Sequence, residues 1–74
     1  MKKVTVQFKT PQQVKDFVQL VQNYPYDIDL KNEKYVVDAK SILGIFSLNL
    51  SEPITVDIHS DDCQELLTAL QIFN

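Results

Sequence analysis

From Lys3 to Phe8 the chain alternates between polar and apolar residues, KVTVQF, with Val4, Val6 and Phe8 on one side. A period of two predicts a half-buried strand. The pattern changes at Thr10–Pro11, which reads as a helix N-cap followed by proline at the first helical position. Val14, Phe17, Val18 and Val21 then recur at i, i+3, i+4 and i+7, one apolar stripe along an amphipathic helix. Asn23–Tyr24–Pro25 ends it. Two strands follow, YDIDL (Tyr26–Leu30) and KYVVD (Lys34–Asp38), joined by a tight antiparallel turn at Lys31–Asn32–Glu33.

Ser41 opens a second, shorter helix that runs to about Ser47, and Leu48–Pro53 is a loop. ITVDI (Ile54–Ile58) alternates again, with Ile54, Val56 and Ile58 facing inward. Ser60 or Asp61 caps a last helix whose stripe is Cys63, Leu66, Leu67, Leu70 and Phe73. The order is β-α-β-β-α-β-α. Helices that cover one face of a four-stranded, mainly antiparallel sheet make an α+β open-faced sandwich, here one domain over residues 1–74.

Composition narrows the picture. Apolar residues are 45% of the chain, enough for one core, and one glycine with three prolines argues against disorder. So short a domain buries only about 60% of the surface its unfolded chain exposes, so its stability is modest. A single cysteine, Cys63, has no partner for an internal disulfide, which fits a reducing, cytoplasmic setting. No apolar run approaches the roughly 20 residues of a membrane span, and no secretory leader opens the chain, so no membrane insertion is expected. The formal net charge is −3. The basic residues are all lysines and form no dense patch, which argues against direct nucleic-acid binding.

Candidate chemistry is sparse. His59 is the only histidine; strand alternation turns it away from Ile58, toward solvent or the open face of the sheet. Cys63 lies on an inner helical stripe and reads as a small core residue. Asp57, Asp61 and Asp62 lack the spacing of a calcium loop and read as capping and solvating residues, so no metal site is expected. One glycine cannot build a phosphate-cradling loop, and no cofactor is implied.

The stretch VVDAKSILGIFSL (Val36–Leu48) is more informative. In a helix opening at Ser41, Ile42 and Ile45 can face the sheet, which leaves Leu43 and Phe46 on an adjoining face. Both are candidates for a small exposed apolar patch that meets a partner. Gly44 either lets another backbone approach closely or merely loosens the helix, at a cost of up to ~1 kcal/mol relative to Ala. A phosphate on Ser41 would gain roughly 0.3–1 kcal/mol at the positive end of the helix and set negative charge beside the apolar pair, with Lys40 next to it. Such a modification switches a contact on or off.

AKSILGIFSL (Ala39–Leu48) resembles the regulatory-serine segment of HPr, the histidine-containing phosphocarrier of the bacterial sugar phosphotransferase system. DIDL (Asp27–Leu30) and ITVDI resemble its second and fourth strands, and the element order is the same. HPr carries its phosphoryl group on a histidine at the N-terminus of the first helix, where helix-end N–H groups and an arginine stabilise it. The corresponding segment here, FKTPQQVKDF (Phe8–Phe17), has neither histidine, arginine nor glycine. Thr10 or Pro11 falls near the histidine's place and Gln12 near the arginine's. A threonine forms no labile phosphoramidate, so phosphocarrier activity through histidine is not expected.

The resemblance implies a degenerate, non-enzymatic HPr-like protein, similar in that respect to the histidine-lacking relative Crh. By residue, Ser41 matches the regulatory phosphorylation site. Leu43 and Phe46 match contact positions, flanked by Lys40 and Gly44, and the first helix offers Gln12, Gln13 and Lys15. The implied partners are phosphotransferase components, the HPr serine kinase or a LacI-type repressor. Two other readings stand beside this one. One is an active phosphocarrier with Thr10 or His59 as a non-standard acceptor; the other is a scaffold for an unrelated partner, for instance as a small dimer.

Overall fold

The computed structural model describes residues 1–73. The alternating segments become strands β1 (Lys2–Val6), β2 (Ile28–Lys31), β3 (Val36–Asp38) and β4 (Ile54–Ile58). The periodic ones become helices α1 (Pro11–Val21), α2 (Ile42–Phe46) and α3 (Gln64–Ala69), and a 3-10 turn, Leu70–Phe73, follows the last. The sheet runs β1-β4-β2-β3 with every neighbouring pair antiparallel. Its register aligns Val4, Val56, Leu30 and Val37 in one cross-strand row on the helix side. On the open side it aligns Lys3, Asp57, Asp29 and Asp38. A slip of one residue would exchange the two faces, so burying the apolar rows fixes the register.

β1 begins at Lys2 and ends at Val6, yet Phe8 remains buried beyond its end. Phe8 meets Phe17 of α1 and Phe73 of the terminal turn in edge-to-face contacts, with ring centroids 5.3 and 5.8 Å away, and Phe17 lies 5.6 Å from Phe73. The Gln7 N–H donates to the Phe73 carbonyl at 2.7 Å, which lashes the two ends of the chain together. α1 is capped as expected. Thr10 Oγ1 accepts from the Gln13 N–H at 3.2 Å and Gln13 Oε1 accepts from the Lys9 N–H. Val14, Phe17, Val18 and Val21 are all buried.

Further boundaries differ from the sequence reading: β2 starts at Ile28 rather than Tyr26 and includes Lys31, which was expected in the turn, and both β3 and the last helix start later. Asn32 Oδ1 accepts from the Lys34 and Tyr35 N–H groups at 2.9 and 2.8 Å, and the Asn32 N–H donates to the Tyr35 carbonyl. This Asx turn takes Lys34 and Tyr35 out of the strand and closes the hairpin without glycine. The last helix is not capped by Ser60 or Asp61. Its N-cap is Cys63, which makes no side-chain cap bond. The Ser60 hydroxyl instead accepts from the Asp62 N–H in a local turn, so the helix starts later. Its end tightens into the 3-10 turn and buries both Leu70 and Phe73. Among the described residues no helix is long and apolar enough to cross a membrane.

Candidate functional site

Two segments far apart in sequence meet at the N-terminus of α1. A groove of about 370 Å³ is lined by Phe8, Lys9, Thr10 and Pro11 on one side and by Phe46, Leu50 and Ser51 on the other. Phe46 keeps 42% of its surface exposed, and Leu43, outside the groove, keeps 81%. A helix of five residues can turn only one side to the sheet: Ile45 is fully buried and Ile42 half-buried. Leu43 and Phe46 therefore remain outside, as the spacing predicts. Gln12 and Lys15 are exposed on α1 without lining the groove, and the Gln12 amide is engaged with Asp16. The loop Leu48–Pro53, which could have folded over Leu43 and Phe46, reaches Phe46 through Leu50 and Ser51 but leaves Leu43 exposed, and Lys9 was not singled out in the sequence.

Ser41 is exposed, and its hydroxyl accepts from the Gly44 N–H at 3.2 Å. The close approach allowed by Gly44 is internal. A Cβ there would lie 3.3 Å from both Ser41 Oγ and Val37 Cβ, so α2 sits tightly on β3. The Lys40 ammonium donates to the Tyr24 carbonyl at 2.9 Å, tying the entry of α2 to the segment that leaves α1. Tyr24 stacks on Tyr26 at 5.8 Å. Burial first, then Glu65, raises the Tyr24 hydroxyl above its usual range.

His59 occupies a separate site. Its Nε2 lies 2.9 Å from Asp29, and the surrounding cavity of about 250 Å³ is lined by Asp27, Ile28, Asp29, Asp38 and His59. Carboxylates on this scale repel a phosphoryl group rather than hold one.

Asp57, Asp61 and Asp62 do not converge. Asp61 pairs with the Met1 ammonium, which lowers its carboxyl below the usual range. Asp62 takes part in the Ser60 turn. Asp57 is not a solvating residue: it is 2% exposed and pairs with Lys31 at 2.7 Å. The Lys31 hydrogen bond lowers the Asp57 carboxyl against the opposing effect of desolvation, and the same contact raises Lys31. Cys63 is buried, as its place in the stripe predicts.

An open-faced α+β sandwich with an apolar groove at the start of the first helix and an exposed serine opening the second is the architecture of a small phosphotransferase-system protein. The family described as PTS HPr component phosphorylation site matches residues 11–73, and the chain belongs to the HPr family. It is 32% identical to the phosphocarrier protein HPr from Bacillus anthracis, over 97% of this chain and 92% of that one, with a TM-score of 0.76. HPr-C-His from Thermoanaerobacter tengcongensis is 30% identical over 97% and 89%, with a TM-score of 0.81. The Bacillus subtilis catabolite repression protein Crh, solved as a swapped dimer, is 28% identical over 95% and 82%, with a TM-score of 0.72. No curated protein matches the chain significantly.

Proposed function

We propose that this HPr-family chain is a cytoplasmic, partner-binding regulator that does not carry phosphate on histidine and is controlled by phosphorylation of Ser41. The observation that carries the reading is the separation of the only histidine from the α1 end. His59 is bonded to Asp29 in a carboxylate-lined cavity, whereas Thr10 and Pro11 border the apolar groove with Phe46. A phosphothreonine ester at Thr10 would be a poor donor for onward transfer, because an ester lacks the lability of a phosphoramidate.

The docking face comprises Thr10, Pro11, Gln12 and Lys15 of the α1 end and Leu43, Gly44 and Phe46 of α2, with Lys40 bracing α2 from behind. The Ser41 hydroxyl is open to solvent beside this face. A phosphate there adds about two negative charges and strong acceptors, which suits a partner with basic residues. The partners proposed are phosphotransferase components, the HPr serine kinase and a LacI-type repressor. A part in catabolite repression, the role named for Crh, comes with this proposal.

Two incubations test it. With the HPr serine kinase and ATP, mass mapping places one phosphate on Ser41 and none on Ser41→Ala. An unmodified chain, where a genuine HPr is modified, defeats that part. With phosphoenolpyruvate and the general phosphotransferase enzyme, no label is transferred; acid-labile label on His59, or label on Thr10, overturns the loss of carrier activity.

A further inference from the structure

The free edge of the sheet carries a self-complementary pattern. β3 is the last strand on its side, and among the described residues none pairs beyond it. The Tyr35 carbonyl accepts from Asn32 and the Ala39 N–H donates to Ile28, so residues 35, 37 and 39 turn their main-chain groups toward β2. By alternation, Val36 turns both of its main-chain groups outward, and Asp38 offers its N–H, since its carbonyl already accepts from the Ser41 N–H at 3.0 Å. Edge strands are usually blunted by charge, proline or a covering element. Here the outward segment presents Val36 at 60% exposure and Tyr35 at 58%. The opposite edge, β1, is partly covered: beyond its end the Gln7 N–H already donates to Phe73.

The geometry points to antiparallel pairing of β3 with β3 of a second copy, centred on Val36. In that register Val36 faces its own mate and donates to its carbonyl, and the reverse. Tyr35 faces Val37 on the helix side. Lys34 faces Asp38 on the open side, twice by symmetry, and opposite charges directly across an antiparallel pair are stabilising. Shifting the centre to Val37 would set Lys34 against Lys40 and lose both attractive pairs, so charge selects one register. Lys34 has no ion-pair partner among the described residues, and its N–H is already taken by Asn32, which leaves its carbonyl for the Asp38 N–H of the other copy. Val37 and its mate become diagonal neighbours roughly 7–8 Å apart. α2, which stands on Val37 through Gly44, then meets its mate at about the 8–10 Å spacing of packed helices. The symmetric, isologous contact closes at two copies and makes one eight-stranded sheet from two four-stranded ones.

The strand is short, so the interface is small and the dimer weak. Sedimentation of the full chain from about 10 μM to about 1 mM brackets such an affinity. The expected result is a reversible monomer–dimer equilibrium. Lys34→Asp weakens it at least tenfold by opposing two carboxylates, and Val36→Lys abolishes it. The double variant Lys34→Asp/Asp38→Lys restores dimerisation, because the exchanged charges attract again. Circular dichroism checks each fold, and Lys34 and Val36 are exposed enough to change without disturbing the core. In wild type, exchange of the Val36 and Asp38 amides slows as concentration rises. A monomer throughout the range overturns the inference. So does a dimer unmoved by Lys34→Asp, as one built by exchanging a segment would be.

Discussion

Asp57 is the buried polar side chain of an otherwise apolar interior, and it lies on the face of the sheet that no helix covers. It is shielded by its neighbours' side chains, and its Oδ1 has no hydrogen-bond partner among the described residues. All of its compensation therefore comes through Oδ2 and Lys31. The carboxyl is held below its ordinary 3.8, so at low pH the unfolded chain binds a proton that the folded chain resists. Stability from the pair is present above that value and is lost as pH falls below it. Lys31→Met should lower the urea midpoint near neutral pH, because a desolvated carboxylate is left unpaired. On acidification the variant should lose less of its remaining stability than wild type does, since protonation removes the unpaired charge. Urea midpoints measured across the acid range check both slopes; parallel curves would mean that Asp57 does not depend on Lys31.

At the scale of elements, what could be read depended on how local the cause was. β4 lies where alternation places it, and α1 starts at its Thr-Pro signal. α2 also follows its serine, because a cap and a turn of apolar residues are local facts. The ends of β2 and β3 were not legible, since an Asx turn decides where pairing stops. Nor was the start of α3, where Ser60 and Asp62 bond to each other. Of the candidate site, the exposure of Leu43 and Phe46 was readable from helical spacing. The groove was not, because it exists only where Thr10 and Pro11 are folded against Phe46 and Leu50. The burial of Asp57 was hidden for the same reason: two neighbouring strands produce it.

Gly44 shows how an element carries both levels. Alanine normally favours a helix over glycine by up to ~1 kcal/mol. Here its Cβ would press on Val37 Cβ in the strand and on the Ser41 hydroxyl that caps the helix. Relief would move α2 off β3 or break the cap. Gly44→Ala should therefore destabilise the chain, by about 1 kcal/mol as overpacking does, and urea denaturation measures it. A stabilised variant would show that the contact yields freely.

The whole molecule separates what folds it from what it offers to others. Phe8, Phe17 and Phe73 come from the end of β1, from α1 and from the terminal turn, so one aromatic cluster joins the two ends of the chain across its main helix. A domain of this length has a total stability of roughly 4–11 kcal/mol. Emptying the fully buried Phe17 site by Phe17→Ala costs about 3–5 kcal/mol, a large share of that total, so the variant should be substantially unfolded on warming. Phe46 has the same ring but stands at the rim of a groove, partly in water. Phe46→Asp should leave the thermal midpoint close to wild type, because surface changes stay within about 0.5 kcal/mol. It should nevertheless remove binding of the partner proposed for the α1 end, since a carboxylate cannot enter an apolar contact without losing its hydration. Melting curves and binding measured on the same two variants give opposite rankings if Phe46 belongs to an interface. If Phe46→Asp melts early, the ring belongs to the core; if it melts late and still binds, the partner docks elsewhere on the molecule.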